Sequence, residues 1–164
     1  MNDPWIPVIG TLLGAIIGAG GAYFISRQNL KEARRSRLLE RRVDLFVDFL
    51  IAADVHAREV AAVMSRIQDV VAGGADPATI PTLNPTEPIR RAGLALQIVA
   101  PSVEIAATRL YMAAVRLDLA TEPARLNPRH TTFETFADYR AAVSEHDEAR
   151  LGFLEGVHGE IGQT

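Results

Sequence analysis

The sequence predicts an all-α protein in which a transmembrane helix continues into a long helix, followed by a cytoplasmic antiparallel three-helix bundle. Three observations predict this architecture. Residues 5–25 carry no charged side chain, and no glycine or proline lies between Ala22 and Ala72. Beyond that segment, stretches with helical apolar spacing are separated by proline-containing connections.

The apolar run over residues 5–25 is long enough to cross a membrane. At a rise of about 1.5 Å per residue, about 20 helical residues match a hydrocarbon core of about 30 Å. Seven basic side chains follow within residues 26–42, whereas four residues precede the run. The positive-inside rule therefore predicts a single pass with the amino terminus outside. A cleaved signal peptide is disfavoured, because the amino terminus carries Asp3 and the run is long for such a peptide.

The charges divide the chain into a basic neck and an acidic domain. We expect an anchor over residues 1–26, a neck over 27–38 and a helical bundle over 39–164. Residues 43–164 carry seventeen acidic and ten basic side chains, which disfavours nucleic acid as a partner. The chain has no cysteine, which excludes disulfides and thiol catalysis. Sixteen arginines against one lysine are typical of GC-rich bacterial genomes, so the expected location is the bacterial inner membrane.

The first bundle helix is predicted over residues 39–72. Its apolar positions alternate in steps of four and three, the pattern of a helix that packs along its length on other helices. These positions are Leu39, Val43, Phe46, Leu50, Ala53, Ala57, Val60, Met64, Ile67 and Val71. Gly73 and Gly74 then provide a left-handed cap.

Two further helices are predicted, over residues 87–120 and 133–161. Pro101 should kink or break the second helix, and Ser102 can cap its continuation. Residues 73–86 and 121–131 contain prolines and are interpreted as connections. Three helices of comparable length suit an up-down-up arrangement. The apolar side of the third helix comprises Phe133, Phe136, Tyr139, Val143, Leu151, Leu154 and Ile161.

The segment over residues 37–53, Arg-Leu-Leu-Glu-Arg-Arg-Val-Asp-Leu-Phe-Val-Asp-Phe-Leu-Ile-Ala-Ala, resembles the helix that follows the membrane segment in single-pass helical-bundle membrane proteins of actinobacteria and their phages. Residues 96–107 and 153–162 are similar to the second and last helices of that group. Phe46 stands where tyrosine would be usual. The resemblance implies a membrane-anchored helical bundle and no particular activity.

Small residues at spacings of four and three mark one side of the predicted membrane helix. They are Gly10, Gly14, Gly18 and Gly21. Such a face allows two helices to approach closely, which favours self-association or docking on a membrane protein partner. The alternative is a glycine-rich anchor without a partner, since glycine is common in transmembrane helices.

Six basic residues after the run fall within about a third of the helix circumference at 100° per residue. They are Arg27, Lys31, Arg34, Arg35, Arg41 and Arg42. This stripe is a candidate contact for anionic lipid headgroups of the bilayer or for the acidic third helix. The simpler interpretation, which we favour for most of these residues, is that the charges determine topology alone.

Histidines and carboxylates suggest one metal hypothesis. Glu155 and His158 have the spacing found in di-iron bundles, and His56 with Glu59 is the one possible partner motif. His146 and Asp147 interrupt the apolar side of the third helix. They indicate a buried polar network that fixes helix register, a pH-sensitive contact or, preferably, a one-residue phase shift that leaves both at the rim. We expect no metal, cofactor or small-molecule substrate.

The function expected from these features is binding. The protein is interpreted as a membrane-anchored adaptor or accessory subunit without catalytic activity. One alternative is a self-assembling phage or stress protein that oligomerises through the glycine face of the membrane helix. A second, disfavoured alternative is a metal-binding bundle enzyme.

Overall fold

All regular structure in the described part of the chain is helical, with no strand. The computed structural model describes the backbone of residues 5–84 and 86–162, and the side chains of residues 26–84 and 86–162. The α-helices are α1 (Trp5–Val71), α2 (Glu87–Val99), α3 (Glu104–Leu126) and α4 (Phe133–Gly162). The all-α prediction is confirmed, but the predicted three-helix bundle is wrong, because the helix expected over residues 87–120 is two helices.

The backbone of α1 is helical over 67 residues, as the absence of internal breakers after Ala22 predicts. The predicted membrane segment, residues 5–25, lies outside the part described with side chains. Within that part, no helix is long and apolar enough to cross a membrane. The chain divides into two units, residues 1–41 and residues 42–164. Residues 42–162 are called the bundle below.

The left-handed cap of α1 is confirmed. Gly73 has a φ of 76°, a conformation that glycine adopts without steric cost. Its amide donates to the carbonyl of Val70 at 3.0 Å, and the amide of Gly74 donates to that of Asp69 at 2.9 Å. These two bonds satisfy carbonyl groups at the helix end, as in a Schellman motif.

Proline at position 101 ends α2 instead of kinking a continuous helix. Ala100 adopts an extended φ of −142°, as expected for a residue before proline, and a 3-10 turn, Pro101–Val103, leads into α3. The hydroxyl of Ser102 makes no cap; it donates to the carboxylate of Glu160 on α4. The predicted Ser102 cap is therefore wrong.

The break at Pro101 changes the direction of every later helix. The chain returns along α1, since Arg66 donates to Thr79 at 2.9 Å and Asn84 donates to Glu59 at 2.8 Å. It continues this way through α2, whose Gly93 lies against the Phe49 ring.

The chain then reverses into α3, and α4 runs antiparallel to both α1 and α3. Three ion pairs join α4 to the other helices: Arg42 with Glu160, Asp54 with Arg150, and Arg116 with Glu145. The bundle is therefore up-down-up-down, with α3 parallel to α1.

Helix α3 extends further than predicted. The polar stretch expected over residues 121–131 is helical as far as Leu126, with Pro123 inside the helix. Proline removes one helical hydrogen bond, but Thr121 and Ala124 are fully buried on the core face. The hydroxyl of Thr121 donates to the carbonyl of Asp118 at 2.7 Å. Burial against the other helices thus offsets the local cost of proline.

The core of α1 follows a seven-residue repeat, as predicted, but one of its two columns is displaced. The column Phe46, Ala53, Val60 and Ile67 is buried as expected. The second buried column was not predicted. It consists of Phe49, His56, Val63 and Val70. From the column expected instead, Met64 is buried, whereas the side chains of Val43 and Val71 are 38% and 45% exposed.

Candidate functional site: a buried histidine layer

Two histidines from different helices lie in the centre of the bundle. His56 of α1 is 4% exposed and His146 of α4 is 2% exposed. The preferred expectation that His146 lies at the rim is therefore wrong: its neighbour Asp147 is exposed, but the imidazole is in the core. The buried residues of α4 are Ala142, His146 and Phe153, whose spacings of four and seven place them on one side of the helix.

The two imidazoles form a layer between apolar clusters. On one side lies the larger cluster, in which Phe46 and Phe49 pack around Phe153. The ring centroids of Phe153 and Phe49 are 5.0 Å apart. On the other side are smaller clusters that include Val60 with Leu117 and Met64 with Ala124. We call His56 and His146 the histidine layer.

Both histidines keep a buried nitrogen without a hydrogen-bond partner. The Nε2 atoms of His56 and His146 are inaccessible, and neither finds a donor or acceptor among the described residues. The nearest carboxylate oxygen to His146 Nδ1 belongs to Asp147 and lies 3.9 Å away, beyond hydrogen-bond distance. An unpaired buried polar group costs about 1–3 kcal/mol, so the layer is a weak point in the core.

The environment of His146 favours the neutral imidazole. Burial lowers the pKa of His146 below its usual range, because the charged form loses its hydration. The carboxylates of Asp147 and Asp54 act in the opposite direction, and His56 adds to the lowering. Desolvation is the strongest of these influences. His146 is consequently uncharged at neutral pH.

An ion pair lies beside the histidine layer and joins the same two helices. The guanidinium of Arg150 donates from Nε and Nη2 to the two carboxylate oxygens of Asp54, at 2.7 and 3.1 Å. This pairing raises the pKa of Arg150. Asp54 precedes His56 by two residues, and Arg150 follows His146 by one helical turn. Such a bidentate pair also sets the helix register.

The residues of the metal hypothesis are not brought together. Glu155 and His158 are exposed on α4, whereas His56 is buried and Glu59 accepts a hydrogen bond from Asn84. In the part of the chain that the structure describes, no group of three potential ligands is placed to hold a metal ion.

Most of the predicted basic stripe is exposed. The side chains of Arg27, Lys31, Arg34, Arg35 and Arg41 are exposed and form no ion pair within the described residues. Arg42 differs from them: it donates to Glu160 of α4 at 2.7 Å, with its side chain 30% exposed. The predicted glycine face, Gly10, Gly14, Gly18 and Gly21, lies outside the residues with described side chains.

A row of exposed apolar side chains on α1 was not expected as a surface. Val43, Val47, Ile51 and Val55 recur every four residues and are 38–54% exposed. The opposite side of the same helix already fills the bundle core. Asp44 and Asp48 border this row, and both are exposed without an ion pair in the described part. We call these four residues the α1 row.

The sequence contains the pattern for both the α1 row and the displaced core column of α1. The α1 row and the displaced core column follow from shifting the helical register by one position, so that Phe49, Val63 and Val70 become core. The column through Phe49 contains His56, and histidine is buried less often than aliphatic residues, so average burial preferences disfavour this column as core.

Comparison of the chain with protein-family models, with curated proteins and with solved structures finds no match.

Proposed function

We propose that this protein is a membrane-anchored helical adaptor of the bacterial inner membrane, which binds a partner protein through the α1 row. The proposal rests on one observation above all: α1 presents four apolar side chains to solvent while its other side is buried. Aligned apolar side chains at a spacing of four form the surface on which a second helix docks. A row maintained over three helical turns exceeds the scattered apolar exposure of ordinary surfaces.

The partner that fits this surface is an amphipathic helix whose apolar side is bordered by lysine or arginine. Charge complementarity is the argument, because Asp44 and Asp48 lie beside the row and pair with no cation among the described side chains. A second copy of this chain is a poorer fit. In a symmetric parallel pair the rows would face each other, and each acidic side chain would approach its own copy.

The exposed basic side chains support the membrane part of the proposal. They follow the uncharged run directly, and Arg27, Lys31, Arg34 and Arg35 form no ion pair with any residue whose side chain the structure describes. Anionic headgroups attract each such charge by about 1 kcal/mol near the surface. The bilayer is accordingly the first proposed partner, with the amino terminus outside and the bundle in the cytoplasm.

Site-specific photocrosslinking in intact membranes tests the adaptor function. Benzoylphenylalanine at position 51 lies in the α1 row, and the same probe at the exposed position 148 of α4 is the matched control. We expect a heavier product from position 51 and none from position 148. Replacing Asp44 and Asp48 with lysine should abolish that product.

Two results would contradict the proposal. Equal products from both positions, or none from position 51, would remove the α1 row as a docking surface. A product of twice the chain's own mass would favour self-assembly over an adaptor. Retention of the chain in membranes washed with alkaline carbonate tests the anchor independently, and its release would refute the anchor.

A further inference from the structure

The histidine layer is unusual because the Nε2 atoms of both imidazoles are buried without a hydrogen-bond partner among the described residues. Among the buried polar side chains, Thr121 is satisfied by a backbone carbonyl, whereas the Nε2 atoms of His56 and His146 are not satisfied. Neutral imidazoles tolerate such a position at a moderate cost, but a charged imidazole there requires hydration or a direct carboxylate partner.

Each packed element contributes little that would stabilise a charged layer. From α1, Asp54 is engaged by Arg150 and Glu59 by Asn84. From α4 itself, Asp147 is 70% exposed and lies 3.9 Å from the imidazole.

Helix α3 contributes apolar side chains at this level, and its charged Arg116 pairs with Glu145 at the surface. Helix α2 contributes the buried apolar residues Ile89 and Leu96. No buried carboxylate in the described residues is therefore available to a protonated layer.

We propose that the histidine layer is an acid-sensitive joint of the bundle: proton uptake by His146 in acidic solution separates α4 from α1 at mid-length. The two apolar clusters on either side hold the helices together while His146 is neutral. Protonation places charge between these clusters, and the layer gains hydration by opening. This inference is independent of the proposed adaptor function, because it concerns the core and not the α1 row.

The direction of the pH dependence follows from linkage. An unfolded histidine has a pKa of about 6.5, whereas burial lowers that of folded His146. Above pH 6.5 neither state takes up the proton, so stability is unaffected. As the pH falls below 6.5 the unfolded or opened state takes it up first, and the folded state loses stability. For one fully excluded proton, the folding equilibrium constant falls up to about 30-fold between pH 7.5 and pH 5.0.

Thermal unfolding of the full chain in detergent micelles, followed by circular dichroism, tests the joint. The native protein should unfold at a clearly lower temperature at pH 5.0 than at pH 7.5. The double variant His56→Leu/His146→Leu should lose most of this difference, because leucine has a similar size and does not titrate. His158→Gln is the matched control: it removes an exposed α4 histidine, and the native pH dependence should remain.

A distance measurement tests the opening itself. The chain contains no cysteine, so Ala61→Cys on α1 and Ala141→Cys on α4, both exposed, accept spin labels without further changes. The distance distribution between the labels should broaden at pH 5.0 with the native histidines and stay narrow with leucine at both. If the native-histidine and leucine proteins show the same pH dependence, either of the unfolding temperature or of the label distances, the proposal is overturned.

If the leucine variant does not fold, measurements on the chain with native histidines still test the joint. Nuclear magnetic resonance of the His146 Cε1–H group should show a titration midpoint below the ordinary histidine value in the folded state. A midpoint near 6.5 without broadening of the label distances would overturn the joint.

Discussion

Asp54 of α1 and Arg150 of α4 form a bidentate ion pair, with N···O distances of 2.7 and 3.1 Å, beside the two buried histidines. The pair spans 96 residues of sequence and joins the helices that meet in the histidine layer. Its side chains are 34% and 37% exposed, so solvent screens the attraction in part. The pair therefore stabilises the fold only modestly, and its main role is to fix the alignment of α4 along α1.

The first prediction concerns this ion pair. Asp54→Asn should lower the free energy of unfolding by about 1 kcal/mol, because one charged acceptor becomes a neutral amide. Arg150→Lys keeps the positive charge but loses the two-pronged geometry, and we expect a similar loss. Urea unfolding at pH 7.5 measures both. A stabilised Arg150→Lys variant would show that the geometry of the guanidinium is immaterial.

The second prediction concerns the aromatic cluster. Phe153 is fully buried, and its ring centroid lies 5.0 Å from that of Phe49 and 6.3 Å from that of Phe46. Phe153→Ala should cost about 3–5 kcal/mol, because it removes apolar burial and leaves a cavity. Phe133→Ala is the control on the same helix: its side chain is 80% exposed, and its contact with Arg140 is a surface cation–π pair. We expect Phe133→Ala to lower the free energy of unfolding by less than about 1 kcal/mol. Equal losses in the two variants would contradict the position of Phe153 in the core.

The third prediction concerns the close approach of α2 to α1. A Cβ atom at Gly93 would lie 3.3 Å from Cε2 of Phe49, so a larger residue must displace that ring. Gly93→Val should cost about 1–3 kcal/mol through overpacking. Gly159→Val on α4 meets nothing within 4 Å and is the matched control. Thermal unfolding measures the effect. Gly93→Val should lower the unfolding temperature, and Gly159→Val should lower it less or raise it. An unchanged unfolding temperature for Gly93→Val would contradict the packing of α2 on α1.

The fold class and the left-handed cap of α1 could be predicted from the sequence because they depend on local chemistry, whereas the Ser102 cap could not. Gly73 ends α1, and proline-rich segments separate the helices, as the residue types require. The two prolines inside helical stretches behave differently for reasons that are not local. Pro101 reverses the chain, whereas Pro123 is accommodated within α3 because Thr121 and Ala124 are buried beside it. Tertiary packing decides between these outcomes.

The candidate site was predicted less well than the fold. One predicted core column of α1 runs through Leu50 and Ala57, whereas the structure buries the column through Phe49 and His56. Average burial preferences favour the column without a histidine, yet the structure buries His56 against α4. The facing position, His146, is equally unfavourable when considered alone. Two polar residues that share a layer are recognisable only once the helices are aligned.

The last prediction concerns topology and the exposed basic side chains. A fluorescent reporter fused after Thr164 should be cytoplasmic and active, because the positive-inside rule predicts that the basic side chains after the apolar run stay on the cytoplasmic side. Replacing Arg27, Lys31, Arg34 and Arg35 with glutamine should reduce the fraction in this orientation, because these side chains follow the apolar run within about ten residues. Arg90→Gln/Arg91→Gln removes two charges far from the run and should leave the orientation unchanged. Exchange with a periplasmic phosphatase reporter measures the opposite orientation, and strong phosphatase activity in the native chain would overturn the proposed placement of the bundle.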